Sequence, residues 1–326
     1  LEIRILRGED VRALLPMDVC IDLMKTTMIA VSEGRARLPL RSLMAVSHDG
    51  HLGIMPGYLA EPECFGVKLV SLFPGNVSAG LSSHLGLVLL FEPEHGRPAA
   101  LLDAAEITAI RTAAVSGLAT RLLAREEAGD LAILGAGEQA RSHLEAMLAV
   151  RPIRRVRVWS RTPRSAERFA RSEGERHGLE IEVLETPLEA VAGADIICTV
   201  SRAREPILLG RWIAPGAHLN VVGSSIATAA EIDIEAVANA RYFVDYRDST
   251  VNEGGDYLRA LTAGAITPDH ILGEIGEVAG GTKVGRQDPD DITLYKSLGI
   301  AAQDLAAAHH VLEQARAQGV GQGVDF

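Results

Sequence analysis

The chain has 326 residues, 47% of them apolar, with 43 acids against 32 bases for a net charge of −11. That length exceeds one ordinary core and suits two domains, and the acidic balance argues against a nucleic-acid partner, which needs a basic face. No apolar run is long enough to cross a bilayer, Leu1-Glu2-Ile3-Arg4 does not read as a signal peptide, and the widely spaced Cys20, Cys64 and Cys198 read as free thiols of a reducing compartment, the cytoplasm.

In chain order, Ile3, Ile5 and Leu6 lead into a helical pattern that Pro16 splits in two, since proline is tolerated at a helix start and not inside it. From 38 to 91, short apolar segments alternate with turn formers. Segments 42–46, 51–55, 66–73 and 85–91 predict a mostly antiparallel sheet with a hairpin turn at His95-Gly96. A long alanine-rich helix is expected over 106–124. From 130 to 245 the rhythm changes to alternating strands and helices. Besides the first two strands, 131–134 and 155–162, segments 180–184, 196–200, 218–222 and 241–244 read as strands, and 187–192 and 229–238 as helices. Residues 248–261 and 273–279 are helical in part, 298–317 form one long helix, and 319–323 read as a frayed tail. The fold class is α/β. A Rossmann doubly wound parallel sheet spans 116–298, and an α+β substrate domain is built from 1–115 with 299–326. Ligands of such sheets bind beyond the carboxyl ends of the strands, so substrate groups are expected from the first domain.

The buried strand at 131–134 runs into Gly135-Ala136-Gly137-Glu138-Gln139-Ala140 and then a helix. Gly135 allows a tight turn, Gly137 lets a pyrophosphate approach the backbone, Ala140 permits close helix–strand packing, and the helix N-terminus faces the anion. The strand before and the helix after favour a dinucleotide site over an ordinary turn. At the end of the next strand, NAD-preferring sites carry an acid for the ribose 2′-hydroxyl. This chain has Ser160, Arg161 and Thr162 there, with Arg164 and Ser165 beyond. An arginine pairs with a 2′-phosphate that an acid would repel, which favours NADP(H) over NAD; the alternative is a solvated basic turn.

Three cations stand out in the first domain: Arg41 after Leu38-Pro39-Leu40, Lys68 inside an apolar strand, and Arg111 on a small-residue helix. Charges so embedded are costly unless paired. Two readings stay open: they snorkel or pair with local acids, or they form a cluster for a small carboxylate, with Lys68 as the acid–base group. No carboxylate or cysteine pattern around His48, His51, His309 or His310 suggests a metal site.

In order and at matching spacing, Met55-Pro56-Gly57, Gly66-Val67-Lys68, Ile107-Thr108-Ala109-Ile110-Arg111-Thr112-Ala113-Ala114, Ile133-Leu134-Gly135-Ala136-Gly137, Trp159-Ser160-Arg161-Thr162, Gly193-Ala194-Asp195-Ile196-Ile197, Glu205-Pro206-Ile207-Leu208, Pro215-Gly216-Ala217-His218-Leu219-Asn220 and Tyr295-Lys296-Ser297-Leu298-Gly299 carry a resemblance. Over nearly the whole chain it resembles the ornithine cyclodeaminase/μ-crystallin family, which also holds an archaeal type of alanine dehydrogenase and cyclic ketimine reductases. The resemblance implies that Arg41, Lys68 and Arg111 hold the substrate's carboxylate and its amino or imino end, with Met55, Ser225 and Glu253 beside it. It implies a cofactor site at Ser83, His84, Thr112, Gly135, Ala136, Gly137, Glu138, Gln139, Ser160, Arg161, Thr162, Ser165, Thr199, Val200, Ser201, Val222 and Ser297. It also implies a homodimer through the N-terminal sheet.

One departure from the family pattern is informative. Cyclodeaminases carry an Asp where this chain has Ser225, within Gly223-Ser224-Ser225-Ile226-Ala227-Thr228. A serine hydroxyl cannot act as a carboxylate base near neutral pH. With the NADP-favouring second strand, this points to the ketimine-reductase branch. The expected reaction is NADPH-dependent reduction of Δ1-pyrroline-2-carboxylate or Δ1-piperideine-2-carboxylate. The alternatives are reductive amination of a linear 2-oxo acid, cyclodeaminase activity, and a binding protein that holds NADPH and a small ligand.

Overall fold

The computed structural model describes residues 2–47, 49–82 and 84–325, and of Val77, Ser78 and His84 the backbone alone. His48 and Ser83 lie outside the described residues. The chain divides into two compact units, Leu1–Thr112 with Ile300–Phe326, and Ala113–Gly299. The elements begin with β1 (Glu2–Leu6), α1 (Gly8–Leu14), α2 (Met17–Ser32), β2 (Ala36–Arg37), β3 (Ser42–Ala45), β4 (His51–Ala60), β5 (Glu63–Leu72), β6 (His84–Phe91), β7 (Pro98–Asp103) and α3 (Ala104–Leu123). Then come β8 (Asp130–Leu134), α4 (Glu138–Val150), β9 (Arg155–Trp159), α5 (Pro163–His177), β10 (Ile181–Val183), α6 (Pro187–Val191), β11 (Ile196–Thr199) and β12 (His218–Val221). The chain closes with α7 (Ile234–Asn239), β13 (Arg241–Val244), α8 (Arg247–Glu253), α9 (Gly255–Thr262), β14 (Ile271–Glu274), α10 (Ile275–Ala279), β15 (Thr293–Lys296), α11 (Ala301–Gln318) and β16 (Gln322–Asp325).

In the first unit the sheet runs β16-β1-β7-β6-β5-β4-β2, with β3 also on β4. All its pairs are antiparallel except β1 with β7. Helix α11 packs on α2 and against β4, β5 and β6. Its buried face is mostly alanine, with Leu305, Val311 and Leu312 and the polar Gln303 and Asp304, and the small residues let the helix axis come close to the strands. Gly66 eases that approach, since a Cβ there would lie 3.1 Å from Leu305 Cδ2 of α11, as well as 2.1 Å from the Leu89 carbonyl oxygen of β6.

In the second unit eight strands lie in the order β10-β9-β8-β11-β12-β15-β13-β14. Every pair is parallel. Such a sheet is buried on both faces, so its strands read as unbroken apolar runs rather than alternating ones. Ile196–Thr199 and His218–Val221 are buried at every position, and Leu134, Ile197, Leu219, Val221, Tyr242 and Leu294 share one core.

Several local expectations are corrected. The helix expected over 229–238 begins only at Ile234, because the Glu231 and Ile232 amides donate to the Asp256 carboxylate and Asp233 caps the helix from outside. The first residues of 273–279 are strand, and the helix starts at Ile275 behind a Glu274/Glu277 capping box. Helix α5 is an addition to the expected elements: its short apolar stripe of Ala166, Phe169 and Ala170 stands at helical spacing in an otherwise charged segment. The last helix starts at Ala301 rather than at 298, since the Leu298 and Gly299 amides donate to Asp245. The tail expected to fray over 319–323 instead leads into β16, which starts at Gln322 and pairs antiparallel with β1 from Glu2↔Asp325 to Ile5↔Gln322.

Candidate active site

The first unit holds a cation cluster. Lys68 stands on β5 between Met55 of β4 and Val88 of β6 in the sheet register. Its Nζ donates to the Thr108 hydroxyl at 2.6 Å and to Asp304 Oδ1 at 3.0 Å. Arg111 Nε donates to the same Asp304 oxygen at 2.9 Å, and its guanidinium also donates to Gln303 Oε1. Lys68 and Arg111 are 4% and 3% exposed and Asp304 0%, so this is an interior ion cluster and not a surface salt bridge. Burial pulls the Lys68 ammonium down from 10.5 to about 8; Asp304 works against that shift, while Arg111 and Arg41 add to it. Arg41, half-buried just before β3, therefore lies within electrostatic reach of Lys68. Lys68 and Arg111 meet one carboxylate, so this trio keeps a positive excess that a small anion would neutralise.

Asp304 and Gln303 were missed. A signal existed: Asp304 is an acid embedded in Ala301-Ala302-Gln303-Asp304-Leu305-Ala306, the same criterion that singled out Arg111. For Lys68 the acid partner is distant in sequence, since the carboxylate comes from 236 residues beyond it. Met55 is buried beside Lys68 in the register, and Thr112 is buried with its hydroxyl unpartnered among the described residues.

The second unit holds the glycine turn between β8 and α4. Gly135 has φ +133°, and a Cβ there would meet the Val200 carbonyl oxygen at 2.7 Å. At Gly137, the N-cap of α4, a Cβ would meet nothing within 4 Å and no side chain caps the helix. Open space before uncapped helical amides fits a pyrophosphate, and Ala140 is buried against the sheet as the motif requires. Ala136 and Gln139 are half-buried and Glu138 exposed around that turn. After β9, Arg161, Thr162 and Arg164 are exposed at the start of α5, with Ser160 and Ser165 half-buried beside them.

Other predicted cofactor residues lie on a buried network of this unit. The Thr199 and Ser201 hydroxyls donate to Glu231 at 2.9 and 2.7 Å, as do the Ser201 and Gly223 amides at 2.7 and 2.6 Å. Burial pushes the Glu231 carboxyl up, and those donors oppose the shift. Asp256 accepts from the Glu231 amide at 2.8 Å, the Ser224 hydroxyl at 2.9 Å and Lys296 Nζ at 2.6 Å. The network clamps the loop after β12 that carries Ser225, which is half-buried, while Glu253 is half-buried at the end of α8. Val200, Val222 and Ser297 are buried at the ends of their strands. Of the predicted cofactor pair Ser83 and His84, Ser83 lies outside the described residues and His84 is described only as the backbone start of β6.

Comparison with known proteins follows the same lines. The description "Ornithine cyclodeaminase/mu-crystallin family" matches residues 2–319. The ketimine reductase mu-crystallin of Mus musculus is 41% identical over 283 residues, covering 86% of each chain. The solved Δ1-pyrroline-2-carboxylate reductase of Thermococcus litoralis, in complex with NADH and L-proline, superposes with TM-score 0.96 at 38% identity, over 99% of this chain and 100% of that one. An archaeal alanine dehydrogenase dimer with bound NAD superposes with TM-score 0.93 at 31% identity over the whole of both chains. The chain belongs to this family.

Proposed function

We propose that this member of the ornithine cyclodeaminase/mu-crystallin family reduces a cyclic ketimine carboxylate, Δ1-pyrroline-2-carboxylate or Δ1-piperideine-2-carboxylate, to the cyclic L-amino acid with NADPH. The chain is an NAD(P)H-dependent oxidoreductase acting on carbon–nitrogen double bonds, as are the ketimine and pyrroline-2-carboxylate reductases it resembles. The observation that carries this reading is the positive excess of Lys68 and Arg111, two buried cations that share the carboxylate of Asp304.

Arg41 and Arg111 bind the substrate carboxylate. A guanidinium has five N–H donors, and Arg111 uses only part of them on Asp304 and Gln303. Lys68 supplies the proton. With its ammonium held near 8, Nζ is charged at neutral pH yet gives up a proton more readily than a surface lysine. The N–H bond of Lys68 breaks as one forms on the imine nitrogen, and solvent restores the lysine proton. A nicotinamide dinucleotide, held by the turn Gly135–Ala140 and the start of α5, supplies the hydride when bound. Preference for NADPH rests on Arg161 and Arg164 in an exposed turn without an acid; the Thermococcus relative holds NADH. The exposed Leu43 and Met44 of β3 and the adjoining Val46 support a homodimer through this sheet, and the three buried free cysteines support a cytoplasmic location. No helix among the described residues is long and apolar enough to cross a membrane.

The test is a steady-state assay of pyrroline- and piperideine-2-carboxylate with NADPH and with NADH, beside pyruvate plus ammonia and ornithine. Faster turnover of pyruvate plus ammonia would replace the ketimine by the oxo-acid reaction, which the likeness to the archaeal alanine dehydrogenase favours as second reading. Efficient release of ammonia from ornithine would overturn the argument from Ser225. Binding of NADPH with no turnover of any imino or oxo acid would leave a ligand-binding protein.

A further inference from the structure

We infer that Asp304 is the positioning residue of the cation cluster: its Oδ1 ties Lys68 to Arg111, and its charge keeps the transferable proton on Lys68 Nζ. The geometry is unusual for a merely structural ion pair. Both cations converge on one oxygen, at 3.0 and 2.9 Å, while Oδ2 is buried without a partner among the described residues. Asp256, in the second unit, shows the structural arrangement, with both oxygens accepting hydrogen bonds. An acid placed to fill an interior would use its second oxygen; one placed to hold two cations at a set separation need not.

The groups facing Lys68 come from every element around it. Arg111 and Thr108 approach from α3, Arg41 from the segment before β3, and Asp304 from α11. From α2, the buried Cys20 thiol faces Arg111, and burial pushes it up to about 12, so it stays neutral. The strand neighbours Met55 and Val88 carry no charge. Of the charged groups named, only Asp304 favours the ammonium; without it, burial and two arginines act to strip the proton against the Thr108 hydroxyl alone. Gln303, next in sequence and bonded to Arg111, adds orientation but no charge.

The kinetic arm rests on the proposed imine reduction; the spectroscopic arm does not. Asp304→Asn keeps the shape and removes the charge, whereas Gln303→Glu adds a charge beside Arg111. In pH profiles of kcat/KM for the cyclic imine, the alkaline limb is expected to move down by about one pH unit or more in Asp304→Asn and up in Gln303→Glu. NADPH affinity, read by fluorescence titration, stays unchanged in both. The same midpoints are read without substrate by NMR titration of protein labelled with 13C,15N-lysine, with the Lys68 signal assigned from Lys68→Ala. Opposite displacements of the Lys68 midpoint in the two variants support the inference. An unmoved midpoint, or displacement in the same direction, overturns it even if kcat falls. If Asp304→Asn does not fold, Gln303→Glu decides. If the wild-type protein reduces no imine, the proposed function fails while the NMR midpoints still judge Asp304.

Discussion

Each unit buries a cluster of charges, and the two are built with opposite balance. Around Lys68 and Arg111 two cations share one oxygen of Asp304, a third cation stands within reach, and a carboxylate oxygen is left over. Around Lys296 one carboxylate, Asp256, takes the cation directly and a second, Glu231, lies within its electrostatic reach, and both are saturated with donors. Lys296 itself donates to Asp256, to the Ser224 carbonyl and to the Ser224 hydroxyl. Buried charge alone does not distinguish a site from a scaffold. What distinguishes them is whether hydrogen bonding is complete and which sign is in excess: a saturated cluster locks a loop, and an unsaturated positive one awaits an anion.

The sharpest way to break this contrast is to remove one cation from each cluster. Lys68→Ala and Arg111→Ala are each expected to lower kcat/KM for the imine by about 10²–10⁴-fold, the range for losing a proton donor or a charge clamp. Steady-state kinetics on protein whose fold is checked by circular dichroism reads this. Lys296→Met should act on stability instead, because it strands Asp256 beside Glu231 in the interior. A loss of about 3–5 kcal/mol is expected in urea unfolding, with kcat of the surviving folded protein changed far less. If Lys296→Met abolished turnover in fully folded protein, the second cluster would be more than a scaffold.

A smaller effect tests the basic turn. Arg161→Ala should weaken NADPH by about 10- to 100-fold, the worth of a charge-assisted hydrogen bond, and leave NADH nearly untouched. Equal weakening of both cofactors would show that the turn does not read the 2′-phosphate.

The mildest test is pH, where the units respond at opposite ends. Lys68 is held at about 8 against 10.5 when unfolded, so kcat/KM falls as pH rises past about 8. Between 8 and 10.5 the unfolded chain holds the proton that the folded one has released, so this group makes the fold more stable as pH rises there. In the second unit burial holds His143 down to about 4 and His218 to about 3, both neutral at pH 7. Below their unfolded value of 6.5 the unfolded state takes up protons first, so stability falls as pH drops from 6.5 towards 4. Urea unfolding at pH 7 and pH 5 checks the acid side, and activity profiles the alkaline side.

Much of the dinucleotide half was legible because its signals are local. Gly135, Gly137 and Ala140 announce backbone conformation and close approach within six residues, and Arg161 follows at a set distance along the next strand. The strand β15 was not legible: Thr293-Leu294-Tyr295-Lys296 is four residues long and earns its place by insertion between β12 and β13. Likewise β16 has two glycines in six residues around it, a weak strand former that becomes one because β1 offers an unpaired edge.

From the order of residues alone follow the α/β class, the glycine turn, the basic turn and the embedding of Lys68 and Arg111 in apolar surroundings, since each is written in spacings of a few residues. Which acid meets those cations was settled only by packing. Helix α11 must lie across β5 before Asp304 can reach Lys68 from 236 positions away, and no periodicity spans that separation. Charge partnership in an interior is a property of proximity in space, and the chain acquires it only on folding.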